Sequence, residues 1–320
     1  MTVHTDGGAR PDGPETRVLF CGDRQVSARL VELMRAGGAT IVALGLNSPP
    51  SPHSRAIAAA AGVDPGHTFY GRSLASTVAV RKLEAAAPDL GVCCGFGPIL
   101  PRRLLTLPRW GWVNVHRSYL PYNRGLDPLQ WAVIEGTPAG VSVHVMTDEV
   151  DAGDVIEQAE MPVLPTDDGD ALEARADALA FEVFERCWPR LQGGDLTGTA
   201  QDADLATYHS LADCEAVRRL DPNATMRVGR LLDVLRCYSG ANYSAVHFGV
   251  GLLRTRFTVH TEVRMSGAPT DGGNPPTAVT DSPVRKSSAQ EHPPSPNAVA
   301  VNGDSSFDSG GRTLNRKGDT

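Results

Sequence analysis

Asn114 and His116, in GWVNVHRSYLPYNRG (111–125), and Asp151, in VMTDEVDAGDVIEQ (145–158), are the residues whose types and spacing could do chemistry. An Asn, a His and an Asp on separate loops suit acyl transfer to an amine. The amide and the imidazole can donate hydrogen bonds to a developing oxyanion, and the carboxylate can take the proton that the amine must lose. A partly buried Asp151 among apolar neighbours is expected to have its pKa raised towards that of a useful base. Singly, each residue has an ordinary structural use: Asn in caps, His as a satisfied polar group, Asp151-Ala-Gly as a turn. By the same reasoning His144, mid-strand in SVHVM, reads as structural, Gly125 and Pro121 as loop shapers, Trp131 as core, and His209 and His247 as structural.

The elements around these residues define their setting. RVLFCG (17–22), IVALGLN (41–47) and DLGVCCGFG (89–97) are short apolar runs closed by turns, the signature of buried parallel strands. Between them SARLVELMRAGG (27–38) carries Leu30, Leu33 and Met34 on one helical face and stops at a Gly pair; HSRAIAAAAGV (53–63) and TVAVRKLEAAAP (77–88) are further helices, and FYGRS (69–73) is a short strand or loop. WVNVH (112–116) and AGVSVHVM (139–146) read as strands with the helix DPLQWAVIEGT (127–137) between them. Residues 167–192 form a long amphipathic helix with Leu172, Leu179, Val183, Cys187 and Leu191 near one face and Asp residues at its start. Alternating strand and helix specify an α/β fold: a Rossmann-like, mostly parallel sheet with helices on both faces.

The catalytic domain is expected over 16–200, after a disordered lead at 1–15. A small α+β appendage follows at 201–263, with a helix and a hairpin around Gly249 and Gly251, and 264–320 is a disordered tail too poor in apolar residues to fold. A net charge of −7 creates no global attraction to nucleic acid or an anionic membrane. The six cysteines form no CxxC pair and no zinc spacing with His, so no metal site is expected, and they read as buried reduced thiols of a cytoplasmic protein. The first residues show no apolar signal segment, and no apolar run is long enough to span a bilayer.

The first strand ends CGDRQVS, without the G-x-G-x-x-G that would cradle a pyrophosphate, and no P-loop exists. A dehydrogenase or P-loop enzyme is therefore not expected. Ligands of open α/β sheets still bind beyond the carboxyl ends of the strands, where GFGPILP (95–101) lies.

Through DLGVCCGFGPILPRRLL, GWVNVHRSYLPYNRG and GVSVHVMTDEVDAGDVI, in this order and spacing, residues 17–200 resemble the folate-dependent formyltransferase superfamily. The resemblance implies 10-formyl-tetrahydrofolate as donor, a primary amine as acceptor, and Asn114, His116 and Asp151 as catalytic residues. It also implies that the pterin inserts between the GFGPIL segment and the TDEVD loop, with Phe96, Gly97, Ile99, Leu100, Asp148 and Val150 as the candidate binding residues.

The acceptor is expected to be a small molecule. Residues 201–263 carry seven Arg and seven acids, a zero balance unsuited to a polyanion, so nucleic acid is not the expected partner. YLPYNRGLDPLQW (119–131) and the segment 207–240 resemble sugar N-formyltransferases, which implies an amino sugar, nucleotide-linked. N-hydroxyornithine or another amino-acid amine, methionyl-tRNA, and hydrolysis of the donor are the alternatives. A homodimer through the appendage is compatible with a sugar-type enzyme.

Overall fold

In a computed structural model, residues 15–240, 246–250 and 253–256 are described. The lead expected over 1–15 (Glu15 excepted), the tail expected over 264–320 and the hairpin turn at Gly251 lie outside them.

A seven-stranded sheet organises the fold. Its first five strands in space are β3 (Thr68–Tyr70), β2 (Thr40–Leu46), β1 (Arg17–Gly22), β4 (Leu90–Cys94) and β5 (Trp112–His116), all parallel. Two more, β7 (Ala139–Val145) and β8 (Val155–Met161), complete it antiparallel, β7 beside β5 and β8 beside β7. The fold class is thus the α/β arrangement expected, a mixed sheet that is mostly parallel. The strand β8 was not legible in VIEQAEM: it is an edge strand interrupted by Glu157, Gln158 and Glu160, so it lacks a sustained apolar run.

Side chains alternate across each strand and so feed two cores. Val18 and Phe20, Val92 and Cys94, and Val113 and Val115 face α1 (Ser27–Ala36), α2 (Ser54–Ala61), α5 (Pro128–Glu135) and α6 (Gly169–Gln192). Leu19, Cys21, Cys93 and Trp112 face α3 (Thr77–Ala86) and the short α4 (Arg102–Leu105), through Leu83 and Leu104. Gly91 is required here, because a Cβ would lie 2.1 Å from the Trp112 ring that crosses it.

Local signals set the helix ends. Ser76 caps α3 by accepting from the Ala79 N–H, Asp168 caps α6 by accepting from Ala171, and Gly62 closes α2 in the left-handed region. Two details of the expected faces change. In α1, Val31 is buried and Leu33 only partly so; in α6, Phe184 and Trp188 join the core while Leu179 is partly exposed.

Beyond Gln192 the chain returns across the sheet. A two-residue strand β9 (Tyr208–His209) pairs in parallel with β6 (Arg124–Gly125), the helices α7 (Leu211–Arg218) and α8 (Val228–Cys237) follow, and α8 lies against α5. The strands β10 (His247–Val250) and β11 (Leu253–Arg256) pair antiparallel.

Candidate active site

The strand alternation that sends Trp112 into the α3–α4 core also places Asn114 and His116 on that face of β5. Both lie within the strand expected over 112–116, which corrects their placement on separate loops. The antiparallel register sets His144 of β7 directly opposite Asn114, and Ser142 opposite His116. Asp151 alone comes from a loop, the β7–β8 connection, where it holds a left-handed φ of 52°.

These residues converge. Nδ2 of Asn114 donates to Oδ1 of Asp151 at 3.2 Å and also lies 3.3 Å from Nε2 of His144. That same Nε2 is 3.4 Å from Oδ1 of Asp151, and Nε2 of His116 is 3.6 Å from Oδ2. The shortest contact to the carboxylate is from backbone: Gly125 N–H donates to Oδ2 at 2.9 Å. Nε2 of His116 also faces the Asn123 carbonyl at 3.3 Å. Two acceptors at one nitrogen place its proton on Nε2. His144 donates from Nδ1 to the Val145 carbonyl at 2.9 Å, which leaves its Nε2 between Nδ2 of Asn114 and Oδ1 of Asp151.

Burial disfavours charge on Asp151. The His116 imidazole beside it, the His144 contact and the Gly125 N–H outweigh that penalty and hold the carboxyl well below the usual carboxylate range. The expected upward shift is therefore reversed: the apolar surroundings are present, but hydrogen-bond donors line the carboxylate itself. His116 moves down from its ordinary value, because burial dominates and the His144 and Arg117 charges add to it, against the pull of Asp151 and the Asn123 carbonyl. At neutral pH the pair is an ionised carboxylate beside a neutral imidazole. Arg117 points to the opposite face and pairs with Glu173 (2.9 Å) and Asp177 (3.7 Å) of α6, anchoring the end of β5.

A cavity of about 490 Å³ opens over this cluster, within the size range of small-molecule sites. Phe96, Gly97, Ile99 and Leu100 line one wall, Asp148 and Val150 the other, and Asn114, His116 and Asp151 its floor. Ile99 is 82% exposed at the rim, whereas Leu100 is buried in the α3–α4 core. An ion pair of 3.5 Å between Arg102 and Asp148 spans the two walls. Cys93 and Cys94 also line the cavity; burial pushes their thiols up to about 12 and about 11, so both stay protonated.

Three participants were missed in the sequence. His144 was read as structural, and the signal that places it in the cluster is the cross-strand register, which no local pattern carries. Gly125 was read as a loop shaper; its N–H is a ligand of Asp151. Asn47, at the end of β2, accepts from the Gly97 N–H at 2.9 Å and donates to the Gly95 carbonyl at 3.3 Å, fixing the wall that holds Phe96. The reading of Trp131 as core and of His209 as structural agrees with their burial: the rings stack with centroids 3.8 Å apart.

Residues 32–187 match the family model described as "Formyl transferase". A methionyl-tRNA formyltransferase from a Geobacillus species is 38% identical over 129 residues, covering 40% of this chain and 41% of that protein. One from Aromatoleum aromaticum is 32% identical over 204 residues, covering 60% and 63%. The chain thus spans less than two thirds of the length of these relatives. Among solved structures, a sugar N-formyltransferase from a Shewanella species superposes with a TM-score of 0.67 at 18% identity, covering 78% of this chain and 99% of its own, and shares the fold. No described helix is long and apolar enough to cross a membrane. Over residues 32–187 the chain is a member of the formyl transferase family.

Proposed function

We propose that the protein transfers a formyl group from 10-formyl-tetrahydrofolate to a primary amine of a small molecule. The observation that carries this reading is the Asp151 carboxyl group, held among Asn114, His116, His144 and the Gly125 N–H at the floor of a cavity with one apolar wall. In such a transfer the bond from the formyl carbon to N10 of the donor breaks and N10 takes up a proton, while the bond to the acceptor nitrogen forms and the amine releases one.

The residues fit these needs. Asp151 takes the proton: an amine that has attacked a carbonyl is strongly acidic, so a carboxylate of low pKa suffices. Asn114 and His116 stabilise the charge on the formyl oxygen. Their resting contacts run from 3.2 to 3.6 Å, longer than the usual 2.9–3.0 Å for N–H···O, so a developing oxyanion competes well for the same protons. Loss of one such donor typically costs about 10²–10³ in rate. The flat apolar wall at Phe96, with Ile99 and Val150 at the rim, suits a pterin ring system entering edge-on between the two walls.

For the acceptor we favour an amino sugar, nucleotide-linked. The even charge balance of residues 201–263 and the sugar-type reading of 119–131 and 207–240 support it. Methionyl-tRNA is the competing acceptor, because relatives of 32–38% identity carry that name. The test is incubation with 10-formyl-tetrahydrofolate and a panel of amines, read by mass: nucleotide-linked amino sugars, N-hydroxyornithine, glycinamide ribonucleotide and methionyl-tRNA. One formyl group on an amino sugar is the expected result. Formylation of another acceptor overturns the sugar reading; formate alone shows a hydrolase; an untouched donor overturns formyl transfer itself.

A further inference from the structure

Gln201 lies outside the stretch matched by the family model, at the start of the segment that returns across the sheet. Its side-chain Nε2 donates to two carbonyls of the Asp151 loop, those of Asp151 (2.8 Å) and Gly153 (2.7 Å). Its Oε1 accepts from Nε (3.0 Å) and Nη2 (2.8 Å) of Arg124. Arg124 immediately precedes Gly125, whose N–H is the shortest contact to the Asp151 carboxylate. One amide therefore joins the two backbone segments that fix Asp151: the loop that carries it, in a left-handed conformation costly for a non-glycine residue, and the strand whose N–H meets its side chain.

A second clamp follows six residues later. The Thr207 hydroxyl accepts from the Asn123 N–H at 2.8 Å, and the Asn123 carbonyl faces Nε2 of His116. Asn123 is fully buried, and its Nδ2 donates to the Thr137 hydroxyl at 2.8 Å, so this carbonyl has little freedom to follow the imidazole. The segment 201–207 thus braces both sides of the Asp151–His116 pair.

We infer that Gln201 is a positioning residue of this site: it holds the Asp151 carboxylate against the Gly125 N–H and the His116 imidazole. It touches neither the carboxylate nor the imidazole, and it is absent from the residues lining the cavity. Its action is on geometry. Displacement of a catalytic group by about 1 Å can cost about 10²-fold in rate.

The kinetic part of the test rests on the formyl-transfer reading; the spectroscopic part does not. Gln201→Ala is compared with wild type by NMR titration of the His116 ring, assigned with His116→Ala. An ionised Asp151 nearby raises the His116 pKa, so loss of the brace shifts that titration downward. With whichever panel amine the wild type formylates, kcat falls 10- to 100-fold while KM for 10-formyl-tetrahydrofolate changes less than threefold. Gln201→Glu keeps an acceptor for Arg124 but sets oxygen against the two carbonyls, and it behaves like Gln201→Ala. If Gln201→Ala does not fold, Arg124→Ala removes only the other end of the brace, and the same downward shift in a smaller amount is expected. An unmoved His116 titration in a folded variant overturns the inference, as does an unchanged kcat, or a loss confined to KM or thermal stability. A wild type inactive on the whole panel counts against the formyl-transfer reading and leaves the NMR result to decide this one.

Discussion

Gly125 donates its backbone N–H to Oδ2 of Asp151 at 2.9 Å, from a φ of 90° that glycine alone adopts without strain. A Cβ there would also lie 2.3 Å from the His209 carbonyl, because β6 runs tightly beside β9. Backbone conformation, strand pairing and the state of the carboxylate are thus tied together at one residue.

Gly125→Ala should therefore cost stability and rate together. A strained φ typically costs about 1–3 kcal/mol, before any shift of the His209 backbone. Chemical denaturation should show at least this loss, and turnover of the surviving folded protein should fall. Full stability with full turnover would mean that β6 moves freely, against the packing described.

Asp151→Asn keeps the shape and removes the proton acceptor. Formyl transfer should fall by at least about 10²-fold, in line with the contribution of general base catalysis, while 10-formyl-tetrahydrofolate binding by calorimetry stays within a few-fold. Unchanged turnover would take Asp151 out of the mechanism.

His116→Ala should lower kcat far more than it raises KM for the acceptor, because the imidazole is assigned to charge that exists only in the transition state. Steady-state kinetics with the identified amine decides. An effect confined to KM would make His116 a binding residue.

His144→Phe tests the residue that the register adds to the site. The ring volume is kept and the contact to Asn114 Nδ2 at 3.3 Å is lost, so Asn114 is held less firmly. A fall in kcat of about 10-fold is expected, with the folded state retained as judged by circular dichroism; the size is that typical of lost supporting contacts around reactive groups. Wild-type kcat would return His144 to a purely structural role.

Stability should depend on pH in two windows. His116 has its folded pKa below the ordinary 6.5, so burial of the neutral ring contributes stability that is complete above 6.5 and is lost as pH falls through the folded value. Asp151 has its folded pKa below 3.8, so its contribution is complete above that and is lost only at lower pH. Thermal unfolding between pH 7.5 and 5 should fall more steeply for wild type than for His116→Gln. Equal slopes would show that His116 charges freely in the fold.

Much of this protein follows from local pattern. The apolar runs 17–22, 41–47 and 89–97, with helices between them, dictate a parallel sheet, and the period of two in WVNVH places Asn114 and His116 on one face whatever the sheet around them does. The candidate wall residues from Phe96 to Leu100 follow from the turn beyond β4. What local pattern does not carry is direction and register. That β7 runs antiparallel to β5, and so sets His144 against Asn114, depends on how a distant segment returns; β8 was missed for the same reason, since an edge strand needs a neighbour more than an apolar face. The shift of Asp151 reversed sign because its donors come from residues 7 to 37 positions away, Asn114, His116, Gly125 and His144, brought together only by the fold. Gln201, 50 residues from Asp151, is visible only once the chain has closed over the site. Side-chain types and their alternation are properties of the chain; the charge state and the bracing of the reactive carboxylate are properties of contacts, and contacts exist only in three dimensions.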